Sequence, residues 1–529
     1  MKWLLLVLCL GLFLRITGVE TVPSGMSHDE LDMVNNGYAI IQTGNDLFGE
    51  RLPLTTGGTG LVVAPAIIAG IGATIFGLTP LGVRILPVLL GTINIYLVYK
   101  IAYLLTGSKR SGILSALLLA ISPWGIHFSR MMYDPPIAFF FMLFGIERFL
   151  SAEQKSTYML ATVFLGLGLI SYYGFLFVIP PLLILLFCYR SKDLVKMRTT
   201  SFWIVAISMI FVATLVLMIS RQGHNDLSGA RRSEIIFSQQ SRISNTVDLA
   251  RQQTLNSLMD RLFINKSTVI FTETMGNYLS AFNPEILFSF GEASEILSLR
   301  QWGFLYLLDF PLIIIGGYQL YKKRRKEALL LFGFVIISPF TVAISDRTYV
   351  ARAALLFPTL LVFAGYGAYK VLSGLSKTPA VLPRFLVIMF SFAYVFSVLG
   401  FLYQYHVRYP VYAKEIWFDS EKQVSQFIID NPAKLTVVST PEVKDTFMQY
   451  FFYGHLDPVQ SQIALSTYKA ANMILYDEQV LFMGCIDPKE KKDGEVLLIV
   501  DHVCGDISES DEYIYSREGA NNKLWGIYK

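Results

Sequence analysis

Two carboxylates stand side by side at Asp29 and Glu30, about ten residues beyond the apolar run Trp3–Val19. At a membrane–water boundary such acids can take a proton from a hydroxyl, because partial desolvation raises carboxylate basicity. The same pair also fits a structural part. Ser27 and Glu30 have the spacing of a capping box, and acids in a first helical turn complement the dipole of the segment Leu31–Ile41. His28 adjoins them, placed either to tune Asp29 or to meet an acceptor, or else merely exposed in a loop. Arg130, Arg347 and Arg352 supply planar guanidinium forks that suit phosphate oxygens, and equally suit snorkelling beside the end of a membrane span.

Composition sets the surroundings of these groups. The 529 residues are 53% hydrophobic and 16% charged, with a mean hydropathy of +0.49. So little charge cannot cover a soluble protein of this size, which points to a polytopic α-helical membrane protein. The net charge of +4 is small and selects no class of partner; nothing indicates nucleic acid. Lys2 ahead of an apolar run resembles a signal peptide, but no small-residue cleavage pattern follows, so an uncleaved anchor is expected.

Hydropathy predicts about eleven spans, near 2–19, 83–105, 111–127, 135–150, 157–172, 174–190, 201–220, 302–320, 328–345, 352–371 and 385–404. The stretch Leu61–Leu78 is apolar but interrupted by Pro65, Gly70, Gly72 and Gly77. Counting it as a span would put Lys109 and Arg110 opposite the cluster Lys322–Lys326, against the positive-inside bias. It therefore reads as an interfacial or re-entrant hairpin. The resulting topology has a cytoplasmic N-terminus, an outer loop at 20–82, an outer turn Ser122–Asp134, a long outer loop at 221–300 and an outer tail. A multi-pass protein of the plasma (inner) membrane is expected, with a membrane module at 1–405 and an extracytoplasmic α/β domain at 406–529.

In the tail, β-type runs at Leu435–Ser439, Val496–Asp501 and Tyr513–Tyr515 mix with helix-like stretches at Glu421–Ile429 and Val443–Tyr453. Cys485 and Cys504 both fall there. A disulfide between them would contribute about 3 kcal/mol, and two buried thiols are the alternative.

The order of motifs resembles the GT-C superfamily of polyprenyl-phosphate-dependent glycosyltransferases, especially bacterial relatives of the protein O-mannosyltransferases and of the lipid A aminoarabinose transferase. The resemblance rests on the first-loop acids Asp29-Glu30, then Thr43-Gly44-Asn45-Asp46 through Gly49 and Pro53, then the hairpin. Gly82-Val83-Arg84-Ile85-Leu86, Ser122-Pro123-Trp124 with Ser129-Arg130, Gly168–Gly174 with Tyr172 and Tyr173, Arg347–Pro358 containing Arg352, and Phe451–Pro458 continue it along most of the chain. Each motif alone is weak, and their shared order carries the comparison.

The resemblance implies an inverting transfer of a sugar from a polyprenyl-phosphate donor to an acceptor hydroxyl on a protein, lipid or glycan. It implies Asp29 as general base, Glu30 as its orienting neighbour or an acceptor contact, and Arg352, with Arg347 and Arg130, as cations for the donor phosphate. Asp134 would be a donor-sugar contact, or only the turn residue that starts a helix before Pro135 and Pro136. Tyr172 and Tyr173 would stack on sugar, or sit in an interfacial aromatic belt. The six histidines include no H-x-x-x-H pair and no His/Cys cluster has ligand spacing, so no metal cofactor is expected. A lipid-linked glycan polymerase, or a transporter or flippase of the cell envelope, is the alternative reading.

Overall fold

Each of the eleven apolar stretches carries a helix: Lys2–Ile16, Pro80–Thr106, Lys109–Ile121, Asp134–Ser151, Lys155–Ser171, Ile179–Tyr189, Arg198–Gln222, Asp309–Lys323, Arg325–Ile337, Leu356–Leu375 and Val381–Tyr403. The structure is a computed structural model that describes residues 2–51, 53, 55–56, 62–222, 235–254, 258–294, 296–345, 349–375, 381–466, 468, 472–486, 496–515 and 523–529. Among the described residues, four helical segments are long and apolar enough to cross a membrane: Pro80–Thr106, Arg325–Ala343, Leu356–Gly374 and Leu382–Tyr412. The chain divides into two units.

The first unit comprises residues 1–15, 89–129 and 134–401. Its core is aromatic where the helices are densest. Trp124 stacks between Phe128 and Phe357 at 4.7 and 4.6 Å and meets the edge of Phe139 at 5.4 Å. Arg15, the charge that interrupts the first apolar run, is buried and donates to the carbonyls of Leu119 and Ala120 at 3.2 and 2.9 Å and of Gly125 at 3.0 Å. It thus satisfies carbonyls that the end of the helix Lys109–Ile121 leaves without intrahelical partners. The helix Val381–Tyr403 does the opposite, exposing Phe385, Ile388, Phe392 and Phe396, as suits a helix bathed in lipid.

The second unit joins residues 16–88 and 130–133 to the tail from 402 onward. The tail contains a six-stranded sheet in the order β2-β3-β1-β4-β6-β5. β1 (Leu435–Ser439) runs parallel to β3 (Val480–Met483) and β4 (Val496–Asp501), while β2 (Met473–Tyr476), β5 (Glu512–Tyr515) and β6 (Lys523–Tyr528) pair antiparallel. β1 and β4 are almost wholly buried, as suits the apolar run Val496–Val500 of β4. Cys485 and Cys504 are disulfide-bonded. The first-loop helix His28–Thr43 packs against the hairpin helix Val63–Phe76 and against the tail helices Val443–Tyr453 and Pro458–Ser466.

The hairpin helix has 14 residues, a length of about 21 Å against about 30 Å of hydrocarbon. It crosses the first-loop helix at Gly37 and Gly70, where a Cβ on Gly37 would stand 1.8 Å from the Ala66 carbonyl oxygen. Gly37→Ala should therefore push the two helices apart and cost about 1–3 kcal/mol. Denaturant unfolding of the solubilised protein measures that loss; an unchanged midpoint would contradict the crossing.

Candidate active site

The site is built on the first turn of the helix His28–Thr43. Ser27 is its N-cap: the Ser27 hydroxyl accepts from the Glu30 N–H, and the Glu30 carboxylate accepts from the Ser27 N–H, both at 3.3 Å. The Tyr133 hydroxyl, buried and held well above its ordinary pKa by desolvation and then by the charges of Asp29 and Glu30, donates to Ser27 Oγ at 2.7 Å. His28, Asp29 and Glu30 thus occupy the first three helical positions, each turned about 100° from the last.

Glu30 is spoken for. Both it and Arg84 are fully buried, with Arg84 Nε 3.0 Å from Oε1 and Nη2 2.9 Å from Oε2. The Met132 N–H also donates to Oε1 at 3.0 Å. The rest of the Arg84 guanidinium donates to the carbonyls of Val19, Pro23 and Gly25 at 3.2, 3.1 and 2.6 Å, with Trp417 beneath it at 5.6 Å. This pair locks the loop before the helix onto the start of the helix Pro80–Thr106. Asp29, by contrast, is half-buried at the second helical position, where its charge acts on both His28 and Tyr133.

The tail frames the same turn. His28 stacks on Phe418 with ring centroids 3.6 Å apart, and its Nδ1 lies 3.4 Å from Asp445. Burial lowers the His28 pKa below its usual value, against the pull of Asp445 and Asp29. Phe418 presents its ring from a left-handed backbone (φ 56°), a costly conformation for a bulky side chain. Asn35 donates to the Met448 carbonyl at 2.9 Å, Gln449 to the Met26 carbonyl at 3.1 Å, and Gln462 to the Asp46 carbonyl at 2.9 Å.

Arg130 shares this unit, and two of its nitrogens face backbone. It is fully buried, with Nη1 2.6 Å from the Thr17 carbonyl, Nη2 2.7 Å from that of Val22 and the Tyr405 ring 5.3 Å away. The structure therefore brings His28, Asp29, Glu30 and Arg130 into the second unit. Sequence reasoning noticed Arg84 as part of a motif without seeing its role; the acid–base pairing across 54 positions has no local signature.

The remaining candidates lie in the first unit. Arg352 closes a 3-10 turn, Val350–Arg352, donates to Ser345 Oγ at 3.0 Å and lies over the Tyr349 ring at 4.9 Å. Asp134 opens its helix and is buried; Tyr172 is buried with Phe175 at its edge, and Tyr173 begins a 3-10 turn, Tyr173–Phe177. Arg347 lies outside the described residues. Asn265 caps the helix Lys266–Ser280 by accepting from the Thr268 N–H. Among the described residues no group of three His, Cys, Asp or Glu is arranged to hold a metal ion.

Sequence analysis also passed over Glu292, a buried carboxylate that accepts from the Ala351 N–H at 3.3 Å. Burial raises its pKa from 4.5 to about 7, opposed by the backbone donors and by Arg352. Between those values the folded state holds a proton that the unfolded state has lost, so stability falls as pH rises from 4.5 through about 7. At about 1.36 kcal/mol per pH unit, the loss is about 3 kcal/mol. Glu292→Gln should lessen the fall in stability between pH 5 and pH 8 by that contribution, which unfolding curves at the two values would reveal; an identical slope in the variant would contradict it.

Residues 60–218 match the family of dolichyl-phosphate-mannose-protein mannosyltransferases. The fold is similar to that of the aminoarabinose transferase ArnT from Cupriavidus metallidurans bound to undecaprenyl phosphate, with a TM-score of 0.54 and 12% identity over 99% of this chain and 98% of that one. The apo state of the same protein gives 0.52, with 11% identity and the same coverage. The archaeal oligosaccharyltransferase AglB from Archaeoglobus fulgidus, in complex with an inhibitory peptide and a dolichol-phosphate, gives 0.51, with 14% identity over 94% of this chain and 69% of that one. No curated protein matches the chain in sequence. The likeness establishes a fold shared with ArnT and AglB.

Proposed function

We propose that this GT-C-fold chain is an inverting glycosyltransferase that moves a sugar from a polyprenyl-phosphate donor to an acceptor hydroxyl at the outer face of the membrane. Asp29 is the general base. As the acceptor oxygen attacks the anomeric carbon, Asp29 takes its proton and the carbon–oxygen bond to the lipid phosphate breaks, the electron pair leaving with the phosphate. One displacement inverts the anomeric centre. The observation that carries this reading is the division of labour within the acid pair. Glu30 is consumed by Arg84 and the capping box, so it positions the turn, while half-buried Asp29 stands at the helix N-terminus beside it.

The family match and the two relatives solved with polyprenyl phosphates support the donor class. Arg352 is the proposed cation for the donor phosphate, with Arg347 as a second. Asp134, Tyr172 and Tyr173 are the proposed sugar contacts, and His28 an acceptor contact. Arg130, whose Nη1 and Nη2 donate to the Thr17 and Val22 carbonyls, is the third proposed cation of that set. The proposed reaction draws on no metal cofactor. The proposed topology has eleven spans in the plasma membrane, a cytoplasmic N-terminus and an extracytoplasmic tail. Mass spectrometry of envelope proteins, lipids and glycans with and without the gene tests the function. A single hexose- or pentose-sized mass should vanish from one acceptor class; an unchanged glycan profile would contradict the proposal.

A further inference from the structure

In the connection between the helices Arg198–Gln222 and Asp309–Lys323, the helices Gln240–Gln252, Leu258–Phe263 and Lys266–Ser280 line a cleft of about 880 Å³. Arg251, Arg261 and Lys266 line it against a single lining carboxylate, Asp248, and Phe271 stands at its side. The walls are fixed. Arg242 reaches Glu273 with two donors at 3.0 and 2.8 Å, and Arg251 Nε donates to the Ile264 carbonyl at 3.0 Å. One face of the helix Lys266–Ser280 is anchored, Asn277 donating to the Ser345 carbonyl at 2.7 Å and Tyr278 to that of Ile336 at 3.0 Å.

The same helix carries Phe271, Met275 and Leu279, one per turn and all exposed; Leu262 and Phe263 on the neighbouring helix are exposed too. Cations beside an exposed apolar stripe are the pattern of a segment lying in the plane of a membrane interface. A phosphate free in solution would satisfy the cations and leave the stripe in water, whereas a phospholipid satisfies both. We infer that the cleft holds the phosphate of an anionic glycerophospholipid, with Arg251, Arg261 and Lys266 around the headgroup and Phe271, Met275 and Leu279 in the acyl layer. This binding is independent of the catalytic reading.

The test uses the full-length protein with phosphatidylglycerol and phosphatidylcholine as probes, read by native mass spectrometry. The triple variant Arg251→Gln/Arg261→Gln/Lys266→Gln should lower phosphatidylglycerol affinity roughly 100-fold and leave phosphatidylcholine unchanged. Because Arg251 also supports a helix end, the double variant Arg261→Gln/Lys266→Gln, confined to exposed side chains, should still lower it roughly 30-fold. A benzophenone amino acid in place of Phe271 should form lipid adducts on irradiation. Equal phosphatidylglycerol retention by both variants, displacement of the lipid by inorganic phosphate at equal concentration, or an absence of lipid adducts at position 271 would each overturn the inference.

Discussion

Asp29→Asn should lower the rate of sugar transfer by roughly 10²–10⁴, the usual contribution of a positioned general base. The amide keeps the shape and hydrogen-bonding reach of the carboxylate but cannot accept the hydroxyl proton at neutral pH. The change should fall on kcat, with KM for the lipid donor nearly constant, because the interaction is made only as the acceptor oxygen attacks. Stability should hardly move. The position loses the attraction between an acid and the helix N-terminus, about 0.3–1 kcal/mol, while the capping box of Ser27 and Glu30 stays in place. A variant that transfers sugar at the parent rate would remove Asp29 from the chemistry.

Arg84→Met should do the reverse, damaging the fold before the kinetics. It strands a fully buried Glu30 carboxylate and three backbone carbonyls, those of Val19, Pro23 and Gly25. Breaking a buried pair from one side costs about 3–5 kcal/mol. Adding Glu30→Gln to Arg84→Met removes the stranded charge, so the double variant should recover part of that loss. Arg84→Lys should also fail, since a single ammonium cannot span two carboxylate oxygens and three carbonyls at once. Denaturant unfolding of the four proteins decides this. A cost below about 1 kcal/mol for Arg84→Met would contradict the role given to the pair.

What could be read from the chain divides along physical lines. Local rules worked where the determinant is local. Hydropathy located a helix in every apolar stretch, and the Ser27–Glu30 spacing announced the capping box that the structure contains. The runs Leu435–Ser439 and Val496–Asp501 are central strands, paired on both edges and almost wholly buried. The strands β2, β3 and β6 went unread, being short, with partly buried or unpatterned side chains. Long-range pairing left no trace at all. Asn35 and Met448 are 413 positions apart, and no periodicity says that the tail helix Val443–Tyr453 seats itself on the first-loop helix. Arg84 was visible only as a motif letter, because a buried guanidinium with an acid and three carbonyls is a tertiary arrangement.

The central claim is that Asp29 drives sugar transfer from a lipid phosphate. Its most direct measurement follows purified protein in nanodiscs, given a synthetic polyprenyl-phosphate sugar and an acceptor extract from the parent membrane, with mass spectrometry counting polyprenyl phosphate released and glycoside formed. The parent chain should release one polyprenyl phosphate per glycoside, with the anomeric configuration inverted, and Asp29→Asn should release neither above background. Equal release by the variant, or a product of retained configuration, would contradict it.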